Sequence, residues 1–179
     1  DHYVNLAKGL YQTDAYFQKQ VDECCEILLP LIGQDLRDIL YPKTPETQAS
    51  GSGGPRFDFK KMFNRGPADE ATQTLNRTIF SQPAVFMIEY ALAKLWMHWG
   101  IQPQAMIGYS IGEYVAACLS GVMNLQDSLR LVTQRAKLIQ EMPAGAMLAV
   151  PWSETQLLPL LGEELSIAII STPSQCVVA

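Results

Sequence analysis

Ala105-Met106-Ile107-Gly108-Tyr109-Ser110-Ile111-Gly112-Glu113-Tyr114-Val115 is the most informative run of the chain. A short apolar segment, 105–108, leads into Tyr109 and Ser110. Small and apolar residues at helical spacing then continue from Ile111 to Ser120 and close at Gly121. The spacing predicts strand, sharp turn, helix. Gly108-Tyr109-Ser110-Ile111-Gly112 fits G-x-S-x-G, in which a strained turn between strand and helix lifts a serine hydroxyl out of the sheet. Glycines are expected on both sides of the serine because neighbouring Cβ atoms would collide in so tight a turn. The Ile111 N–H, at the helix start, would face a developing oxyanion, whose charge the helix dipole favours.

Upstream, Ser81 is expected to cap a helix that opens at Pro83. Val85, Phe86, Leu92, Leu95, Trp96 and Trp99 give that helix a broad apolar surface before Gly100, so it is expected to be central and buried. Further back, Phe17, Val21, Cys24 and Leu28 recur at helical spacing between Thr13, a candidate cap, and Pro30, where the run is expected to stop. Between these helices Lys43 to Gly54 is rich in Pro, Ser, Thr and Gly, and a flexible insertion is expected over about 43–66. Downstream of the elbow, a helix from Asn124 to Pro143 places Leu125, Leu129, Val132, Ala136 and Ile139 on one face. Beyond Gly145 the pattern changes to strand (146–150), a helix capped by Ser153, strand (165–170), a Thr172-Pro173-Ser174 turn and an apolar strand from Cys176. This reads as half of a small split β-α-β unit, and a chain ending inside it is expected to be part of a longer polypeptide.

Composition narrows the function classes. Of 179 residues 48% are hydrophobic and 17% charged, the profile of a soluble globular protein. A net charge of −5 offers no basic footprint for nucleic acid or an anionic membrane. The longest apolar stretch, 84–99, is broken by Glu89, Lys94 and His98 and falls short of the roughly 20 clean residues of a membrane span. Neither a signal peptide nor metal-ligand spacing among Cys24, Cys25, Cys118 and Cys176 is visible, which points to reduced thiols in a cytoplasmic protein.

QPAVFMIEYALAKLW, MIGYSIGEYVAACLSGV, DSLRLVTQRAKLIQ and PAGAMLAV, in that order, resemble the acyltransferase domain of modular type I polyketide synthases, of the malonyl-CoA:acyl carrier protein transacylase family. The resemblance implies an α/β fold. It would comprise a hydrolase-like core with a parallel sheet and nucleophile elbow over 1–144, and the beginning of an inserted ferredoxin-like subdomain over 145–179. It further implies transfer of a malonyl-type acyl group from coenzyme A, through a serine ester, to the phosphopantetheine thiol of an acyl carrier protein. No tightly bound cofactor and no metal are implied. The partners would be acyl-CoA, the carrier protein and neighbouring domains such as a ketosynthase.

Residue by residue, Ser110 matches the nucleophile, and covalent catalysis there splits one thioester exchange into two easier steps. Ile111 matches the backbone oxyanion donor. Arg135 matches the arginine that binds the free carboxylate of malonyl-type substrates, a task suited to a planar guanidinium. Gln82 and Glu113 match positions near the site, and Tyr109 stands where the family usually has histidine. By pattern alone Arg135 reads as a solvated helical charge beside Arg130 and Lys137, Glu113 as a first-turn helix charge and Gln82 as a polar cap. The general-base histidine of the family is expected downstream of residue 179. His98, between Met97 and Trp99, reads instead as a packing or capping residue. Ile111, after the nucleophile, resembles family members that take malonyl more than those that take methylmalonyl. Two other readings share the elbow: an esterase or thioesterase, in which water replaces the accepting thiol, and a catalytically incomplete interaction domain of a multienzyme.

Overall fold

Seven helices lead the described part of the chain, which a computed structural model covers over residues 2–42 and 70–179; the insertion expected at about 43–66 lies outside the described residues. They are α1 (Lys8–Thr13), α2 (Ala15–Ile32), α3 (Leu36–Leu40), α4 (Glu70–Leu75), α5 (Thr78–His98), α6 (Ile111–Leu119) and α7 (Leu125–Glu141). The chain divides into two units, Asp1–Glu141 and Met142–Ala179.

In the first unit α5 is the hub, packed by α2, α6 and α7. Its Phe80, Pro83, Ala84, Phe86, Met87, Ile88, Ala91 and Leu95 are buried on several sides, so its sequence shows breadth rather than one apolar stripe. Phe17, Val21 and Leu28 of α2 and Leu129 and Val132 of α7 complete the core around it with no exposed surface. Each such side chain stabilises the fold by roughly 1.5–3 kcal/mol relative to an exposed position.

The helix ends differ from the sequence expectation in instructive ways. Asp14, not Thr13, caps α2: its carboxylate accepts the Phe17 N–H at 2.8 Å, while the Thr13 hydroxyl donates back to the Gly9 carbonyl at the end of α1. Pro30 does not stop α2, which runs to Ile32. Proline forfeits one ladder bond there, and Gly33, at φ 75°, closes the helix by donating to the Leu29 carbonyl. Ser81 does not cap α5 either, because that helix begins at Thr78 and Ser81 and Pro83 lie buried inside it. The core rewards continuing the helix past both polar and cyclic residues. At the other end of α5, His98 stacks on Tyr16 of α2, with ring centroids 4.0 Å apart.

The strand expected over 105–108 is not formed. Those residues belong to no helix or strand, Ala105 lying in a bend and Ile107 being 96% exposed, and the parallel sheet expected around them is absent among the described residues. An extended run becomes a strand only when a neighbour exchanges backbone hydrogen bonds with it, and no described segment does so.

The second unit holds β1 (Leu148–Val150), α8 (Glu154–Leu157), a 3-10 turn over Leu158–Leu160, β2 (Ile167–Thr172) and β3 (Gln175–Val178). Its strands lie in the order β1-β3-β2, and β3 is antiparallel to both neighbours. Leu148 faces Val178, and Thr172 faces Gln175 next to the tight turn. It follows that β1 and β2 run parallel with β3 between them. Ser153 opens α8 with a capping box, Gln156 Oε1 accepting the Ser153 N–H at 3.0 Å. Leu157, Cys176 and Val178 form its small core.

Candidate active site

Ser110 occupies the N-cap of α6 with φ 53° and ψ −116°, a left-handed conformation that a residue with a Cβ rarely holds. Its side chain is exposed. The turn is closed by the Gly112 N–H to the Tyr109 carbonyl at 2.9 Å and the Glu113 N–H to the Ser110 carbonyl at 3.2 Å. The Ile111 N–H takes no part in these bonds. It stands at the positive end of α6, beside the serine, with its own side chain buried.

The two glycines of the motif have different jobs. A Cβ on Gly108 would run into the backbone of Gly112 and Glu113, so the chain entering the elbow touches the helix leaving it. A Cβ on Gly112 would stand 3.7 Å from Glu89 Oε2, an ordinary contact, so the expected collision applies at Gly108 and not at Gly112. Glu113 reaches back across the turn, and its Oε1 accepts the Gly108 N–H at 3.1 Å. Tyr109 is 72% exposed and points its ring outward.

Arg135, on α7, is half-buried and donates from Nη1 to Gln82 Oε1 of α5 at 2.5 Å. Its guanidinium also lies over the Tyr114 ring, 6.0 Å from the centroid. Tyr114 is four residues beyond Ser110, one turn along the same face of α6. These contacts gather α5, α6 and α7 around the N-terminal turn of the elbow helix. Gln82, Arg135 and, through Tyr114, the turn bearing Ser110 form one connected group. The pairing orients Arg135 while leaving further N–H donors of its fork unspent. His98 is at the far end of α5, about 24 Å along the axis from Gln82 at 1.5 Å per residue.

Two residues near the elbow escaped the sequence reading. Tyr114 looks there like any helical aromatic, and only its spacing of four from Ser110 hints at a shared face. Glu89 projects from α5 toward Gly112, and desolvation pushes its carboxyl above the usual carboxylate range. It lines a groove of about 590 Å3 with Gly108, Tyr109, Gly112, Val115 and Leu119 among others, and Ser110 does not line it. Among the described residues, no group of three His, Cys, Asp or Glu is placed to hold a metal, and no helix is long and apolar enough to cross a membrane.

The chain matches the acyl transferase domain family over residues 5–179. It is 35% identical over 177 residues to a phenolphthiocerol/phthiocerol polyketide synthase of Mycobacterium tuberculosis, spanning 99% of this chain and 10% of that protein. Among solved structures it superposes on the acyl transferase domain of ZmaA with a TM-score of 0.77 and 40% identity, covering 99% of this chain and 37% of that one. A malonyl CoA-acyl carrier protein transacylase from Clostridium perfringens shares the fold at a TM-score of 0.69 and 20% identity, covering 99% of this chain and 49% of that one. The chain thus spans about a tenth of the curated synthase and about two fifths of the ZmaA structure. With the strained serine turn at the head of α6 and a family match along nearly its whole length, the chain belongs to the acyl transferase domain family.

Proposed function

We propose that this chain carries the nucleophile and the acid-binding arginine of a polyketide synthase acyltransferase, which moves a malonyl-type acyl group from coenzyme A to the phosphopantetheine thiol of an acyl carrier protein. Ser110 Oγ forms a bond to the thioester carbonyl carbon, and the oxyanion is held by the Ile111 N–H at the head of α6. Collapse breaks the C–S bond, and the Oγ proton passes through a general base to the departing coenzyme A thiolate. The family resemblance places that base, a histidine, downstream of residue 179. In the second half the phosphopantetheine sulfur attacks the ester carbon, the C–O bond breaks and Ser110 Oγ regains a proton. Arg135, steadied by Gln82 and Tyr114, holds the substrate's free carboxylate with its remaining N–H groups. Tyr109 flanks the site with a polar tip on an apolar body.

In this reading residues 1–144 belong to a hydrolase-like core. A ferredoxin-like subdomain begins within 145–179, and the order β1-β3-β2 supports it. The setting is a cytoplasmic multienzyme, with neighbouring domains such as a ketosynthase and without a tightly bound cofactor. Malonyl is favoured over substituted malonyl groups.

The observation that carries the reading is the backbone of Ser110, φ 53° and ψ −116°, at the N-terminus of a helix in a chain of this family. Mass spectrometry of the intact protein after brief exposure to malonyl-CoA tests it. A malonyl adduct lost in Ser110→Ala is expected, and absence of any adduct refutes the reading. Arg135→Ala should weaken malonyl loading about ten- to hundredfold, the worth of a charge-assisted bond, while a neutral acyl group loads as well as before.

A further inference from the structure

We propose that Glu113 is a positioning residue for the Ser110 nucleophile: its side chain braces the elbow by holding the Gly108 N–H. The inference rests on the reading of Ser110 as nucleophile. Gly108 and Glu113 bracket Ser110 in the chain, and the 3.1 Å bond between them closes a ring around the serine. At Gly108 the entering backbone already touches the backbone of Gly112 and Glu113, so the crossing is tight but has no side chain to lock it. A left-handed backbone such as that of Ser110 persists only where its surroundings over-determine it. On the helix side, the bonds from the Gly112 and Glu113 N–H groups do this. On the entering side, residues 103–108 belong to no helix or strand, and the Gly108–Glu113 bond is their only hydrogen bond among the described residues. Remove it, and the serine is fixed from one side alone.

Glutamate suits the task in two respects. Its reach spans the turn, and its position in the first turn of α6 is one where a negative charge is welcome. Of these, reach is the essential property, and two substitutions separate reach from charge. Glu113→Gln keeps an acceptor oxygen at the same length without the charge; Glu113→Asp keeps the charge but falls one carbon short.

The test measures malonyl loading of Ser110 in the intact protein for Glu113→Gln, Glu113→Asp and Glu113→Ala, together with amide exchange of the Gly108 N–H. The Gln variant is expected within about threefold of the parent. The Asp and Ala variants are expected to load about tenfold more slowly or worse, in kcat with KM little changed, and to exchange the Gly108 amide faster. Equal loading and equal exchange across all four proteins overturns the proposal, as does a Gln variant that behaves like Ala. If Glu113→Ala does not fold, the comparison of Asp with Gln decides alone. Should the parent protein itself fail to load, the nucleophile reading falls; the exchange of the Gly108 amide then judges the brace, and unchanged protection in Asp and Ala refutes it.

Discussion

Gly108 and Gly112 flank the same serine yet are held to glycine by unequal forces. For Gly108→Ala the added carbon meets backbone that cannot move aside, and a loss of about 3 kcal/mol or more is expected, read as a lower urea midpoint with no adduct at Ser110. For Gly112→Ala the only near atom is a carboxylate oxygen at 3.7 Å, and a helical glycine is replaced by a better helix former. That variant should match the parent or exceed it by up to about 1 kcal/mol. Thr133 presents the reverse case. It is buried in α7, and its hydroxyl has no hydrogen-bond partner among the described residues. Thr133→Val removes an orphaned polar group while keeping the shape, so the melting temperature should rise by a few degrees, equivalent to about 1 kcal/mol. The serine turn was legible in the sequence because its strain is written in glycine, a local mark. Arg135 stands out in the sequence only through the family resemblance, since nothing in the spacing of α7 says that Gln82 and Tyr114 await it. Tyr114 stayed hidden because a contact between α6 and α7 is a fact of tertiary packing.

At the scale of elements, Arg37 of α3 gathers three carboxylates: Asp22 at 2.9 Å and Glu26 at 3.1 Å from α2, and Asp35 at 2.7 Å from its own N-cap. Tyr11 of α1 donates to the same Asp22 at 2.8 Å, so three helices meet at one cluster. Asp35 also accepts the Arg37 N–H, and its hydrogen bonds to Arg37 hold its carboxyl below the ordinary range. A carboxyl depressed in the folded state stabilises the fold above its unfolded pKa, near 3.9, and loses that contribution as pH falls through its lower folded value. Asp35→Asn retains the capping oxygen but not the charge. The stability gap between parent and Asp35→Asn, measured by urea unfolding, should therefore be widest near pH 7 and close progressively below about pH 4. A gap independent of pH would assign the contribution to the cap alone. Existence and type of the long helices α2 and α7 follow from their periodicity, and those of α5 from its broad apolar surface, whereas their ends do not. Pro30 and Pro83 read locally as punctuation, yet both helices continue past them: Pro83 is buried against the core, which outweighs the single ladder bond it forfeits, whereas Pro30 lies on the exposed side of α2. The run 105–108 failed in the opposite direction: its composition favours a strand, but strand formation is a property of two segments and the sequence of one cannot supply it.

Across the whole molecule the two units differ sharply in what holds them. Asp1–Glu141 surrounds α5 with a continuous set of large apolar side chains, including Phe17, Leu28, Phe86, Met87 and Leu129, all fully buried. Met142–Ala179 buries only Leu157, Cys176 and Val178, with Val150, Leu161 and Ile167 partly covered. Most of its other large apolar residues, among them Leu148 at 64% and Ile170 at 54%, are exposed. Segments below about 40 residues generally need a disulfide, a metal or a partner to offset the entropy of ordering. This unit has one cysteine, Cys176, so no internal disulfide can form. Its hydrogen-bonded ladder and the Ser153 capping box shape the chain but supply little net free energy against that entropy. A peptide of residues 142–179 is therefore expected to be largely disordered by circular dichroism, with no cooperative melting transition. In the intact chain, its amides should exchange faster than those of α5, the most enclosed helix of the first unit. A cooperative transition in the peptide would mean that the split strand pairing is stable by its own hydrogen bonds and turn. In that case the apolar faces it exposes, Leu148 and Ile170 among them, are not needed to hold it together.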